Sequence, residues 1–196
     1  QEFLADLVMN PDWCECLLDK IRKNNVAKVR YLSEAGADVL RIGDDVGTQH
    51  GMMFSPAIWR KMFKPILAEY IALAKQINPD VLIWYHSDGD ISRIIPELIE
   101  IGLDVLNPIQ PASMDPAEIK RQFGDRLSFW GTIDEQHTLP FGSPAEVQAE
   151  VRERLATVGK DGGLILAPTH HVQLDTPLDN FWAMVNTIQH TPYGAW

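Results

Sequence analysis

The chain has 196 residues, 45% apolar and 22% charged, enough to bury one sizeable core without disulfide staples. Lys and Arg number 17 against 27 Asp and Glu, a formal net charge of −10, which argues against a nucleic-acid or anionic-membrane surface, since both need clustered cations. No apolar run approaches the roughly 18 residues of a membrane span, and two closely spaced thiols with six Trp fit a reduced, cytoplasmic protein.

The first expected element is a helix over about Pro11 to Glu34, stopped at Gly36. Five short, nearly all-apolar runs then read as strands covered on both faces: Asp38 to Ile42, Val81 to Tyr85, Asp104 to Asn107, Leu127 to Gly131 and Gly163 to Ala167. A helix follows each. The first opens at Ser55-Pro56 and runs to about Ile77; the second opens at Asp90-Ile91 and ends near Gly102. The third spans Asp115-Pro116 to about Gly124, the fourth Ser143-Pro144 to about Gly159, and the fifth Thr176-Pro177 to about His190. Four of these starts place a capping oxygen before a Pro, which has no N–H to leave unsatisfied. Strand–helix alternation at this spacing predicts a parallel α/β sheet in a single domain over residues 1–196, either open and doubly wound or part of a (β/α)8 barrel. No dinucleotide fingerprint or P-loop follows any strand. The chain does not open on Met and lacks a visible signal peptide, so it reads as processed or as a piece of something longer.

Polar chemistry gathers after the strands. Those loops carry Asp44-Asp45 and His50, then His86-Ser87-Asp88-Gly89, Gln110, Asp134 and His137, and finally His170-His171, whereas the opposite loops are bland. Parallel α/β folds build their sites on that carboxyl edge. His86 and Asp88, two apart on extended chain, can face one point and suit a divalent metal; His170 or His171 is available as a third donor. The competing reading makes Asp88 or Asp90 a cap of the next helix and His86 a hydrogen-bonded pocket residue. Asp44 and Asp45 could supply a base or substrate anchor, and if both face one pocket one pKa should rise. His50 precedes an apolar stretch that reads as packing, and Asp134 and His137 could touch substrate. A nucleophilic triad is not supported. Retaining-glycosidase carboxylates are conceivable through Asp44, Asp45 and Glu135, but no spacing singles them out.

The stretches Glu34-Ala35-Gly36-Ala37-Asp38 through Gly43-Asp44-Asp45-Val46-Gly47, Trp84-Tyr85-His86-Ser87-Asp88-Gly89, Asn107-Pro108-Ile109-Gln110-Pro111, Phe129-Trp130-Gly131-Thr132-Ile133-Asp134 and Asp175-Thr176-Pro177 resemble the uroporphyrinogen decarboxylase superfamily. The resemblance covers about Pro11 to His190. It implies a (β/α)8 TIM barrel, of which this chain would be about five carboxyl-terminal units preceded by a helix. It also implies one of two chemistries. In the corrinoid-linked zinc methyltransferases a His-x-Cys-Gly and a later Cys hold zinc; His86 matches that His, Asp88 stands where the Cys would be, and His170 falls near the later Cys. A His86/Asp88/His170 set is harder than a thiolate site. It suits Zn²⁺ or a similar ion activating an oxygen- or nitrogen-substituted small molecule, with Asp44, Asp45, His50, Gln110, Asp134, His137 and His171 around the substrate and a corrinoid partner protein taking the methyl group. The alternative is metal-free decarboxylation in porphyrin biosynthesis, for which the chain lacks the expected Arg anchors and Gly-His-Gly. A third reading is an inactive truncated barrel serving as a binding module. Open sheet edges favour a homo-oligomer or pairing with a missing amino-terminal portion.

Overall fold

The computed structural model describes residues 2–192 and 194. Five strands make one parallel sheet: β1 (Val39–Gly43), β4 (Leu82–His86), β5 (Val105–Asn107), β6 (Ser128–Ile133) and β7 (Leu164–Pro168), in the order β1-β4-β5-β6-β7. Each lies within a residue or two of its expected position. Register carries the alternation across the sheet: Arg41 pairs with Trp84 and Trp84 with Val105, while Ile42 pairs with Tyr85 and Tyr85 with Leu106. The parallel order and intervening helices are those of an incomplete (β/α)8 barrel.

The two faces of the sheet differ from the expectation of equal cover. On the outer face Ile83, Leu106 and Phe129 are 0% exposed and join the main core with residues of α2 (Pro11–Glu34) and α4 (Lys64–Ile77). On the inner face Val39, Leu82 and Ile165 remain 48%, 47% and 49% exposed. A smaller core joins Ile133 and Leu139 to α8 (Pro144–Thr157) and α9 (Leu178–His190).

Three of the four expected caps form. Ser55 accepts from the Ile58 N–H, Asp115 from Ala117 and Glu118, and Ser143 with Glu146 closes a reciprocal capping box. At the fifth helix Pro177 itself is the N-cap residue and Thr176 makes no capping bond. The long helix expected from Ser55 to Ile77 breaks into α3 (Pro56–Met62) and α4, with Phe63 at the joint, because Pro65 has no N–H to continue the ladder. The helix expected at Asp90-Ile91 begins as a 3₁₀ turn, Ser92–Ile94, before α5 (Ile95–Glu100); Asp90 Oδ1 accepts from the Ser92 N–H. Beyond these and α6 (Pro116–Phe123), the chain adds α1 (Glu2–Met9), a hairpin of β2 (Gly47–Thr48) and β3 (Gly51–Met52), and α7 (Thr138–Phe141). No described helix is long and apolar enough to cross a membrane.

Candidate metal centre

The end of β4 sets the site. His86 is its last residue, and the chain then turns through Ser87, Asp88 and Gly89. Gly89 sits at φ +79, and a Cβ there would lie 2.5 Å from the Gly47 carbonyl carbon. On β1, a Cβ at Gly43 would lie 2.2 Å from the His86 carbonyl oxygen. These two glycines let the hairpin and β1 close on the β4 loop, and the Asp90 N–H then donates to Thr48 O at 2.7 Å.

One ligand atom each from His86, Asp88 and His170 lies within 4.8 Å of the others. Asn107, at the end of β5, orients the first. Its Nδ2 donates to the Trp130 carbonyl at 2.9 Å, which turns Oδ1 toward His86 Nδ1 at 2.7 Å. An amide oxygen only accepts, so Nδ1 carries the hydrogen and the lone pair of Nε2 faces the cluster. His86 Nε2 is 3.6 Å from Asp45 Oδ1 and 3.9 Å from Asp88 Oδ1. Asp88 Oδ1 is enclosed without a hydrogen-bond partner. A desolvated carboxylate oxygen beside two imidazoles fits a divalent cation, which would satisfy it.

The other candidate residues fall into three groups. Asp45 belongs with the cluster, and its Oδ1 also accepts from the Asp88 N–H at 3.1 Å. The Asp44 backbone carbonyl accepts from the Tyr85 hydroxyl at 3.3 Å; burial first, then the Asp45 charge, raises the pKa of its side chain. His171 lies beside the third donor, Nδ1 to Nδ1 3.3 Å. Gln110 is committed elsewhere: its Oε1 accepts from the Gly89 N–H at 2.6 Å and so braces the turn below Asp88. Asp134 orders its own loop, accepting from the Gln136 and His137 N–H groups and pairing with His137 Nδ1 at 3.1 Å. His50 is exposed in the hairpin turn, and its imidazole makes no hydrogen bond or ion pair among the described residues.

Three residues beyond that set shape the site. Asn107 is one, and the only signal for it in sequence is its place at a strand end. Glu135 is the second. Its Oε2 is enclosed without a partner, and burial raises its pKa against the opposing pull of His170. Glu150 of α8 is the third, accepting from the Asp134 N–H at 3.0 Å while neighbouring Arg154 donates to Thr132 O at 3.0 Å. That pair holds the end of β6, where Thr132 adopts φ +87, and the loop that follows it.

Comparison with known proteins places this geometry in context. The family model for uroporphyrinogen decarboxylase (URO-D) matches residues 1–191. The chain is 29% identical over 186 residues to "Methylcobamide:CoM methyltransferase MtaA" of Methanosarcina barkeri, covering 94% of this chain and 51% of that protein. It is 23% identical over 183 residues to "Uroporphyrinogen decarboxylase 2, chloroplastic" of Arabidopsis thaliana, covering 93% and 44%. Among solved structures, a methyltransferase from Methanosarcina mazei superposes with a TM-score of 0.74 at 25% identity, over 95% of this chain and 52% of that one. The chain therefore spans about half the length of these relatives.

Proposed function

The chain belongs to the uroporphyrinogen decarboxylase family, and on that premise we propose that it carries the metal-binding half of a methyltransferase-like enzyme. The observation that carries the reading is the convergence of His86, Asp88 and His170 around an enclosed, unpartnered carboxylate oxygen. These three residues would hold Zn²⁺ or a similar ion, which when bound supplies Lewis-acid polarisation of the substrate's leaving oxygen or nitrogen. Asn107 keeps His86 in the tautomer that offers Nε2. Asp45 anchors the Asp88 backbone and presents its carboxylate beside His86. Asp44 lies next to Asp45 in the loop after β1, and burial and the Asp45 charge raise its pKa. In the proposed transfer the bond from the substrate heteroatom to the methyl carbon would break with its electron pair left on the heteroatom, which would take a proton from solvent, and a reduced corrinoid on a partner protein would supply the electron pair for the new bond to the methyl carbon. The methyltransferase names of relatives in both comparisons support a methyltransferase-like role.

Metal analysis tests it directly. The protein is expected to bind one equivalent of Zn²⁺, with binding lost in His86→Ala and in His170→Ala. Protein that takes up no zinc at micromolar concentration overturns the proposal. A second reading, metal-free decarboxylation of a porphyrinogen, draws on Asp44 and on the decarboxylase relatives. Turnover of uroporphyrinogen by zinc-free protein would favour it instead.

A further inference from the structure

Away from the donor cluster, α8 and the last turns of α9 flank a cleft of about 390 Å³, a volume in the range of small-molecule sites. It lies at the far end of α9. That helix begins beside α7, where Asn180 Nδ2 donates to Leu139 O at 2.8 Å and to Gly142 O at 2.7 Å. His190 is roughly 15 Å further along the helix axis. Arg152 and Gln148 of α8 face Asn186 and His190 of α9 across the cleft, and no Asp or Glu among the described residues lines it.

An acid-free wall stands out in a chain with 27 acidic and 17 basic residues. The pattern along α8 explains it. Arg154 takes both neighbouring acids, Glu150 at 3.1 Å and Glu153. Arg152 has Gln148 and Ala149 one turn before it and Leu155 and Ala156 one turn after, so no carboxylate stands at helical pairing distance. Among the described residues Arg152 makes no ion pair or hydrogen bond. The acid of α9, Asp179, is in its first turn, at the other end of the helix.

A helix end normally repels anions through its bare carbonyls. Here those carbonyls are covered. Asn186 O accepts from His190 Nδ1 at 2.8 Å, Thr187 O from the Thr191 hydroxyl at 2.6 Å, and Ala183 O from the Thr187 hydroxyl at 2.7 Å. The first of these bonds places a hydrogen on Nδ1 and leaves His190 Nε2 uncommitted. The carboxamides of Gln148 and Asn186 likewise have no side-chain partner among the described residues.

We propose that this cleft binds the phosphate group of a small phosphorylated molecule, with the Arg152 guanidinium on two phosphate oxygens and the Gln148 and Asn186 amides donating to the others. A guanidinium fork matches an edge of phosphate, and neutral amides complete its shell without a repelling charge. A bare phosphate fills only part of the cleft, so the remaining volume takes an organic substituent. The site is separate from the metal chemistry proposed above and stands or falls without it.

The test titrates glycerol 3-phosphate, inorganic phosphate and acetate calorimetrically into the full chain, in chelator-treated buffer at constant ionic strength, which removes general charge screening as a variable. Glycerol 3-phosphate is expected to bind with one-to-one stoichiometry and a Kd below about 1 mM, at least about tenfold more tightly than acetate. Arg152→Gln should weaken it at least about tenfold and Arg152→Lys less. Arg152 is exposed, so both variants should keep the parent's melting temperature. No binding of either phosphate probe at about 10 mM, an affinity that Arg152→Gln leaves intact, or acetate bound as tightly as glycerol 3-phosphate overturns the proposal. Inorganic phosphate bound while the ester is excluded overturns the phosphorylated molecule as ligand in favour of the free ion.

Discussion

The same five strands present two faces with opposite characters. Ile83, Leu106 and Phe129 point outward and are sealed under helices, whereas Val39, Leu82 and Ile165 point inward and stay nearly half exposed. Strand alternation alone divides them, since neighbouring residues face opposite ways. The outward residues carry stability. The inward ones form the approach to His86 and its partners, where Arg41, Trp84 and Trp130 also lie. A one-residue slip of register would exchange the two sets and lose both roles.

The contrast can be broken most forcefully in the outer layer. Phe129→Ala removes a fully enclosed ring and is expected to cost about 3–5 kcal/mol, whereas Ile165→Ala on the inner face should cost no more than about 1 kcal/mol. Denaturant unfolding of both variants reads the difference, and equal losses would mean that the two faces are equivalent.

A smaller effect sharpens the inner side. Asn107→Leu keeps the branched outline of the side chain but removes the group that turns His86 Nε2 toward the cluster. Zinc affinity is expected to fall about 10–100-fold, with little change in zinc stoichiometry at saturation. Competition with a chromophoric chelator measures it, and an unchanged affinity would deny Asn107 its orienting role.

The smallest effect is in pH dependence. Burial and Asp45 raise the Asp44 pKa, so the native state holds that proton more tightly than the unfolded chain does. Its contribution to stability is therefore present in acid and declines as pH rises from the ordinary Asp value through the raised one. Asp44→Asn removes the decline. Its melting temperature relative to the parent should be higher at pH 7 than at pH 4, and a gap that shrinks with rising pH would contradict the assignment.

Much of this organisation was legible in the residues themselves. Pro after a capping oxygen marked the starts at Ser55, Asp115 and Ser143, and the bond that forms there is the physical reason the pattern is informative. The same pattern misled at Thr176, where Pro177 takes the capping position. The Ser55 helix misled for a different reason: apolar periodicity continues through Phe63, while the missing N–H of Pro65 interrupts the backbone. The hairpin at Gly47 to Met52 has strands of two residues, too short to show any period. Within the site, residue type pointed to His86, Asp88 and His170 as metal donors but gave no sign that the Gln110 oxygen accepts from a backbone N–H that only the fold brings near. Asn107 and Glu150 were silent because their part is played on neighbours far along the chain.

The backbone contacts at Gly43 and Gly89 bear on how such a pocket can be re-engineered. Side chains that hang from loops around the mouth, such as Gln49, His50 and Gln136, can be randomised for new substrates. The two glycines cannot enter such a library: any side chain at either would strike main-chain atoms at 2.2 or 2.5 Å and push the hairpin and β1 off the β4 tip. Diversification here has a fixed hinge pin, and a screen that spares those two codons should recover more folded clones than one that does not.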